Sequence, residues 1–428
     1  FATLRRLETH GGHFLNWYDT RTLQPLLPKY VSTVDSGNLA GALMTLAAGL
    51  RELIDESIQI PEIFGGLRDT VLTLRGIVLH PSELAEIEAA LARPHDSLRA
   101  SVGVVREVHE LAGRYAGKLP ADTTDQVRTW VGNLVAQCAD HLEDLLHLAP
   151  WLAGHALPGE GAENFDSTPT LRELSRSNSS PLTNARQAAQ RASSRIATLE
   201  SLARECDEMA DMEWAFLYDT TRKLFVIGFN LTERRIETGC YDLLASEARL
   251  ASYVAIAHGE VNQEHWFSLG RLLVAVRGET VMVSWSGSMF EYLMPQLIMP
   301  NYENTLIGHT CAAAIRQQID YGNMRGVPWG VSESGYNRVD ANQTYQYHAF
   351  GVPGIGLKRG LEEDLVIAPY ATALALMFSP GRACENLERL AREGREGAYG
   401  FYEAVDYTPS RMPPRQTSVT VRSFMAHH

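Results

Sequence analysis

At 428 residues, 45% hydrophobic and 21% charged, the chain has the composition of a folded protein with room for two average domains or one large barrel, and disorder is excluded for most of it. Its 38 Lys and Arg against 51 Asp and Glu leave a net charge of −13 that no basic run overrides, so neither a nucleic acid nor an anionic lipid surface is an expected partner. No apolar run approaches the roughly 18 residues of a membrane span, so direct membrane insertion by this segment is not expected.

The five cysteines, Cys138, Cys206, Cys240, Cys311 and Cys384, are scattered and never form C-x-x-C, which predicts reduced thiols acting as small core residues. The start, FATLRRLETHGGHF, lacks the apolar stretch of a signal peptide, and the end, VRSFMAHH, stops without a helix cap, as in a piece of a longer chain.

In chain order, SGNLAGALMTLAAGLRELI, then SELAEIEAALARPHDSLRASVGVVREVHELAGRYAG, then TTDQVRTWVGNLVAQCADHLEDLLHLAPWL repeat apolar residues every three or four positions and predict amphipathic helices. Residues 153–185, rich in Gly, Pro, Ser and Asn, read as a long connection able to carry one short helix. NARQAAQRASSRIATLESLARECDEMADME predicts a further long helix. FLYDTTRKLFVIGFN then predicts a short β-hairpin. Beyond it, YDLLASEARLASYVAIAHG and SMFEYLMPQLIM predict helices that alternate with loops rich in Trp, Gly, Tyr and Asn. Helices joined by aromatic-rich loops suit an all-α fold, an α/α toroid whose cleft is lined by loops and helix ends.

Several carboxylates stand out. Glu247 in YDLLASEARLASY falls on or beside the apolar stripe of Leu243, Leu244, Leu250 and Tyr253; a structural ion pair with Arg249 or a neighbouring helix is the commoner fate of such a lone glutamate. Glu291 in SWSGSMFEYLMP could cap or brace a loop. Glu333 in PWGVSESGYN lies among hydrogen-bonding and stacking groups, where a functional and a structural role are balanced.

Glycoside chemistry needs one protonated and one ionised carboxyl, with aromatic platforms for hydroxyl-rich rings. Tyr241, Trp285, Tyr292, Trp329, Tyr336, Tyr345, Tyr347 and Tyr370 cluster beside the candidates, although each alone is more often core than platform. No G-x-S-x-G, Walker, H-E-x-x-H or G-x-G-x-x-G motif supports an esterase, NTPase, metalloprotease or dinucleotide enzyme. His309 and His427–His428 lack ligand partners at useful spacing, so no metal and no cofactor are expected.

The strings HFLNWYDTRTLQPLLPKYVSTVDSGNLAG, YDLLASEARLASYVAIAHG, SWSGSMFEYLMP, PWGVSESGYN and GLEEDLVIAPYATALAL resemble the glucoamylase-like cyclization domain of bacterial cyclic β-1,2-glucan synthases. The resemblance implies an (α/α)6 barrel with its first helices and a binding loop in residues 1–50, a helical insertion and linker in 51–185, and the main part of the barrel with a C-terminal tail in 186–428. It also implies glycosyltransferase and phosphorylase-like domains in the same polypeptide, at the cytoplasmic face of the inner membrane.

The implied reaction is retaining, intramolecular transglycosylation of linear β-1,2-glucan to a ring, with Glu247 and Glu333 as the two catalytic glutamates. A helix-borne Glu247 raised by desolvation would be the acid/base. Glu333, kept ionised by Ser332, Ser334 and backbone N–H groups, would be the nucleophile.

Tyr18, Asp19, Asp35 and Asn38 would form a binding wall, with N-capping by VDSGNLAG as the structural alternative. Asp242 and Glu291 would bind hydroxyls or tune the acid. Tyr241, Trp285, Tyr292, Trp329, Tyr336, Asn337 and Tyr370 complete the expected contacts. An endo-β-1,2-glucanase and a non-catalytic glucan-binding module are the alternatives.

Overall fold

The three- and four-residue periodicity yields helices where predicted at Thr33–Asp55, Asp125–Leu148 and Thr183–Ala210. The computed structural model describes residues 1–58, 62–78, 80–94, 96–152, 168–176, 183–397, 399–426 and 428. The chain divides into two compact units, Phe1–Thr45 with Glu208–His428, and Leu46–Asp207. Both boundaries fall inside helices, Thr33–Asp55 and Thr183–Ala210.

In the unit Leu46–Asp207, the predicted helix over SELAEIEAALARPHDSLRASVG is broken at Pro94 into Ala85–Leu91 and Leu98–Lys118. Proline cannot continue the amide ladder, and Ser97 restarts it by accepting from Ala100 N. These helices bury one face with Glu62–Ile77 and Asp125–Leu148 around Leu67, Leu74, Val105, Val131 and Cys138. Each such aliphatic side chain contributes roughly 1.5–3 kcal/mol by leaving water. The linker expected over 153–185 carries a short helix at Leu171–Arg176; residues 153–167 and 177–182 lie outside the described residues.

The unit Phe1–Thr45 with Glu208–His428 is less purely helical than expected. The all-α expectation is therefore corrected to mostly α-helical with small antiparallel sheets of two or three strands. The predicted hairpin is Tyr218–Asp219 against Leu224–Phe225, while Gly228–Asn230 pairs instead with Tyr30–Ser32. The core packs Val281, Leu293, Ile315, Trp329 and Ile367. Its longest helix, Leu306–Arg325, is capped by Thr305 and closed by Gly326 at φ 71°.

Glycine brings two segments of this unit together. A Cβ on Gly37 would lie 2.3 Å from Ala251 Cβ, so only glycine lets the start of helix Thr33–Asp55 meet helix Arg249–Ala257. Among the cysteines, Cys138, Cys206 and Cys311 are buried as expected, but Cys384 is exposed and Cys240 half-buried; all are free thiols.

Candidate active site

The backbone before Glu333 is fastened residue by residue. Trp329 N–H donates to Asn386 Oδ1 at 3.1 Å, and its carbonyl accepts from Asn386 Nδ2 at 2.8 Å. Val331 exchanges two 2.7 Å hydrogen bonds with the buried amide of Gln318. Tyr370 Oη lies 2.8 Å from Ser332 Oγ and 2.9 Å from the Glu333 carbonyl oxygen. Strand Ser334–Val339, paired with Tyr345–His348, follows directly. Glu333 thus stands at the root of a hairpin on a rigid base.

The hydroxyls around Glu333 do a different job from the one expected. Ser332 Oγ accepts from Phe290 N–H and meets Tyr370, and Ser334 Oγ is buried with no partner among the described residues. Neither hydrogen-bonds the Glu333 carboxylate, which receives no hydrogen bond from the described residues.

Glu247 is not helix-borne. Leu243 bridges Gly270, Leu244 N–H donates to the Gly270 carbonyl, and the helix starts only at Arg249, so Glu247 occupies the turn before it. Arg249 is 2% exposed, yet it is no partner for Glu247. Its guanidinium donates to the carbonyls of Ser246, Glu291 and Tyr292, tying the Glu247 turn to the segment that carries Glu291. The ion-pair alternative for Glu247 with Arg249 is thereby removed.

The hydroxyl-cradled carboxylate is Glu291. Its oxygens accept from Ser284 Oγ at 2.9 Å, Trp285 N at 3.0 Å, and Ser286 N and Ser288 N at 3.1 Å, with the Ser286 and Ser288 hydroxyls adding further bonds. Ser288 and Glu291 form a capping box at the start of helix Met289–Leu293. Glu291→Ala strands these donors and is expected to cost at least about 3 kcal/mol in urea unfolding, since each unsatisfied buried group costs roughly 1–3 kcal/mol. A loss below about 1 kcal/mol would contradict the bracing role.

Burial and like charge push both candidate carboxyls upward. Glu247 is raised to about 8, first by desolvation, then by the charges of Glu333, Asp35 and Glu291, with the Asn38 side chain acting in the opposite direction. Glu333 is raised to about 7 by desolvation and by Glu291 and Asp35, while His428 pulls it down. The Tyr241 phenol is pushed up by burial and by Glu247, Asp35 and Glu333. Both carboxyls are thus held above the ordinary carboxylate range by burial and acidic neighbours, Glu247 the further of the two.

The other sequence-derived candidates divide into groups. Asp35, Asn38, Tyr241 and Tyr370 lie where they act on the two glutamates or their backbone. Asp35 sits in the first turn of a helix that starts at Thr33, and its N–H meets Ser32 Oγ. Trp285 is 62% exposed and free to offer a ring face. Trp329, at 6%, and Tyr292, at 1%, are core instead, the hydroxyl of the latter lying 2.9 Å from the carbonyl oxygens of both Met282 and Ile355. The Tyr336 ring is covered by the Arg411 guanidinium at 4.9 Å.

Asn337 is spent on Asp406 and the Arg411 carbonyl. Tyr18 donates to the Glu8 carbonyl, and half-buried Asp19 caps the turn at Arg21 and Thr22. Asp242 is exposed, with its carbonyl accepting from Gly270 N–H.

Glu403 and His428 were not among the sequence-derived site residues, and Tyr347 was read there only as one of the clustered aromatics. The phenol of Tyr347 is raised by burial and by Glu333, Glu403 and Glu247. Glu403 bonds Gly335 N–H at 2.9 Å and His428 Nδ1 at 3.1 Å. Among the described residues no group of three or more His, Cys, Asp or Glu side chains is arranged to hold a metal ion.

The family model described as putative glucoamylase matches residues 240–428, the span that holds Glu247, Glu291 and Glu333. The chain is 37% identical over 452 aligned residues to the cyclic beta-(1,2)-glucan synthase NdvB of Rhizobium meliloti (strain 1021). That alignment covers 100% of this chain. This chain resembles the cyclization domain of a cyclic β-1,2-glucan synthase. It spans only 14% of that relative's length. Among the described residues no helix is long and apolar enough to cross a membrane. The likeness supports a glycoside-hydrolase-like, glucan-processing domain.

Proposed function

We propose that the chain closes linear β-1,2-glucan into a ring by retaining, intramolecular transglycosylation. Glu333 attacks the anomeric carbon while Glu247 protonates the departing glycosidic oxygen, leaving a glycosyl-enzyme and a released reducing-end fragment. The 2-hydroxyl at the non-reducing end of the bound chain then gives its proton to Glu247 and attacks the same carbon. Glu333 departs as carboxylate, and a β-1,2 bond closes the ring.

What supports this reading is a pair of buried glutamates in acidic surroundings, both raised by desolvation and like charge, with Glu247 raised further than Glu333. The exposed Trp285 ring supplies a platform, and Asp35, Asn38 and Tyr241 supply polar groups for hydroxyls. The reading carries an (α/α)6 barrel for the catalytic part, with residues 51–185 as a helical insertion and linker. It also places glycosyltransferase and phosphorylase-like domains in the same polypeptide, at the cytoplasmic face of the inner membrane.

The kcat/KM profile is then expected to be a bell. Below about pH 7 Glu333 is protonated and cannot attack; above about pH 8 Glu247 is ionised and cannot donate. A flat profile from pH 5 to 9 would contradict the assignment. The product test incubates the chain with linear β-1,2-glucan and then adds an exo-acting β-glucosidase. Resistant product is expected. Fully digestible product would point to an endo-β-1,2-glucanase, and unchanged substrate to a binding module.

A further inference from the structure

We propose that Glu403 and His428 form a positioning pair for Glu333, fixing its backbone and presenting a cation to it. The inference rests on the reading of Glu333 as nucleophile.

The geometry clamps Glu333 from both sides. On one side, Glu403 Oε1 accepts from Gly335 N–H at 2.9 Å, two residues beyond Glu333. A Cβ on Gly335 would come within 3.3 Å of Glu403 Cγ, so glycine keeps room for this approach. On the other side, Tyr370 Oη meets the Glu333 carbonyl oxygen. His428 joins the two: its Nδ1 lies 3.1 Å from each Glu403 oxygen, and its ring stacks on Tyr370 at 3.8 Å and 15°. Tyr347 Oη is 3.4 Å from His428 Nε2.

Glu403 itself does not touch the carboxyl of Glu333. Its side chain is 1% exposed, and the His428 ring, 5% exposed, is set against both of its oxygens. A positive charge on that ring favours the ionised form of Glu333, the direction in which His428 acts on it. Opposing it are Glu291 on helix Met289–Leu293 and Asp35 on helix Thr33–Asp55, with Glu247 protonated in the turn before helix Arg249–Ala257. Tyr347 on strand Tyr345–His348 and Tyr370 on helix Pro369–Leu374 complete the facing groups. A cation at this ring offsets the negative charge of Glu291 and Asp35, which favours the protonated form of the nucleophile.

The test is Glu403→Gln in the full chain, which keeps the size and the acceptor for Gly335 N–H but removes the charge. The acid limb of kcat/KM is expected to move up by about one pH unit, with roughly a tenfold loss at pH 6.5 that shrinks toward pH 8. KM should change less than about twofold, and Glu403→Asp, which retains the charge, should keep the limb in place. Should Glu403→Gln fail to fold by circular dichroism, His428→Gln is expected to give the same shift. A loss equal at every pH, an unmoved limb, or an Asp variant shifted as far as the Gln variant overturns the proposal. Near-normal activity in Glu333→Ala would instead overturn the nucleophile reading, so the two failures are separable.

Discussion

Glu333→Ala is expected to abolish ring formation, with kcat falling on the order of 10⁴-fold or more, the scale seen when catalytic nucleophiles are removed. The cause is specific: without this carboxylate no glycosyl-enzyme forms, although Glu247 can still protonate a leaving group. The truncated side chain also leaves space beside the anomeric carbon on the face the carboxylate occupied. Azide entering there displaces the leaving group directly and inverts the centre. The expected product from a β-linked substrate is an α-glucosyl azide. Azide rescue yielding the β-anomer would mean that another residue carries the glycosyl group.

Glu247→Ala should behave differently. Loss of a general acid costs roughly 10²–10⁴-fold on natural glucan, whose alkoxide leaves poorly without a proton. A donor with a good leaving group bypasses that need, so Glu333 is still glycosylated and the deficit shifts to the second step. Azide then attacks the glycosyl-enzyme from the open face, giving a β-glucosyl azide after two inversions. The reverse pattern between the two variants would exchange the roles of Glu247 and Glu333, and near-normal activity in either would remove that residue from the mechanism.

Much of the helical framework was legible because burial of one helix face writes a period of 3.6 into the sequence, as in Asp125–Leu148. The start of the helix after Glu247 was not. Leu243 and Leu244 continue the helical pattern, but pairing with Gly270, a partner remote in sequence, holds them extended. The same limit applies to aromatic platforms. Trp285 and Trp329 sit in similar Gly- and Ser-rich strings, yet one is 62% exposed and the other 6%, a difference set by tertiary packing.

The Ser288–Glu291 capping box carries a local signature, S-x-x-E, which fits the capping or bracing alternative that the sequence left open for Glu291. Glu403 and His428 carry no such signal. Their relation to Glu333 exists only once strand Ala404–Asp406 and the chain beyond it are folded beside Gly335.

The most direct measurement is mass spectrometry of the Glu247→Ala chain after mixing with a β-glucosyl fluoride donor built on β-1,2-glucan. Fluoride leaves without acid assistance, and the missing base slows release of the intermediate. The account predicts a glucosyl adduct on the peptide containing Glu333, lost when Glu333 is also replaced. An adduct on a different residue, or fluoride release with an inverted α-product and no adduct, would contradict the retaining mechanism assigned to this pair.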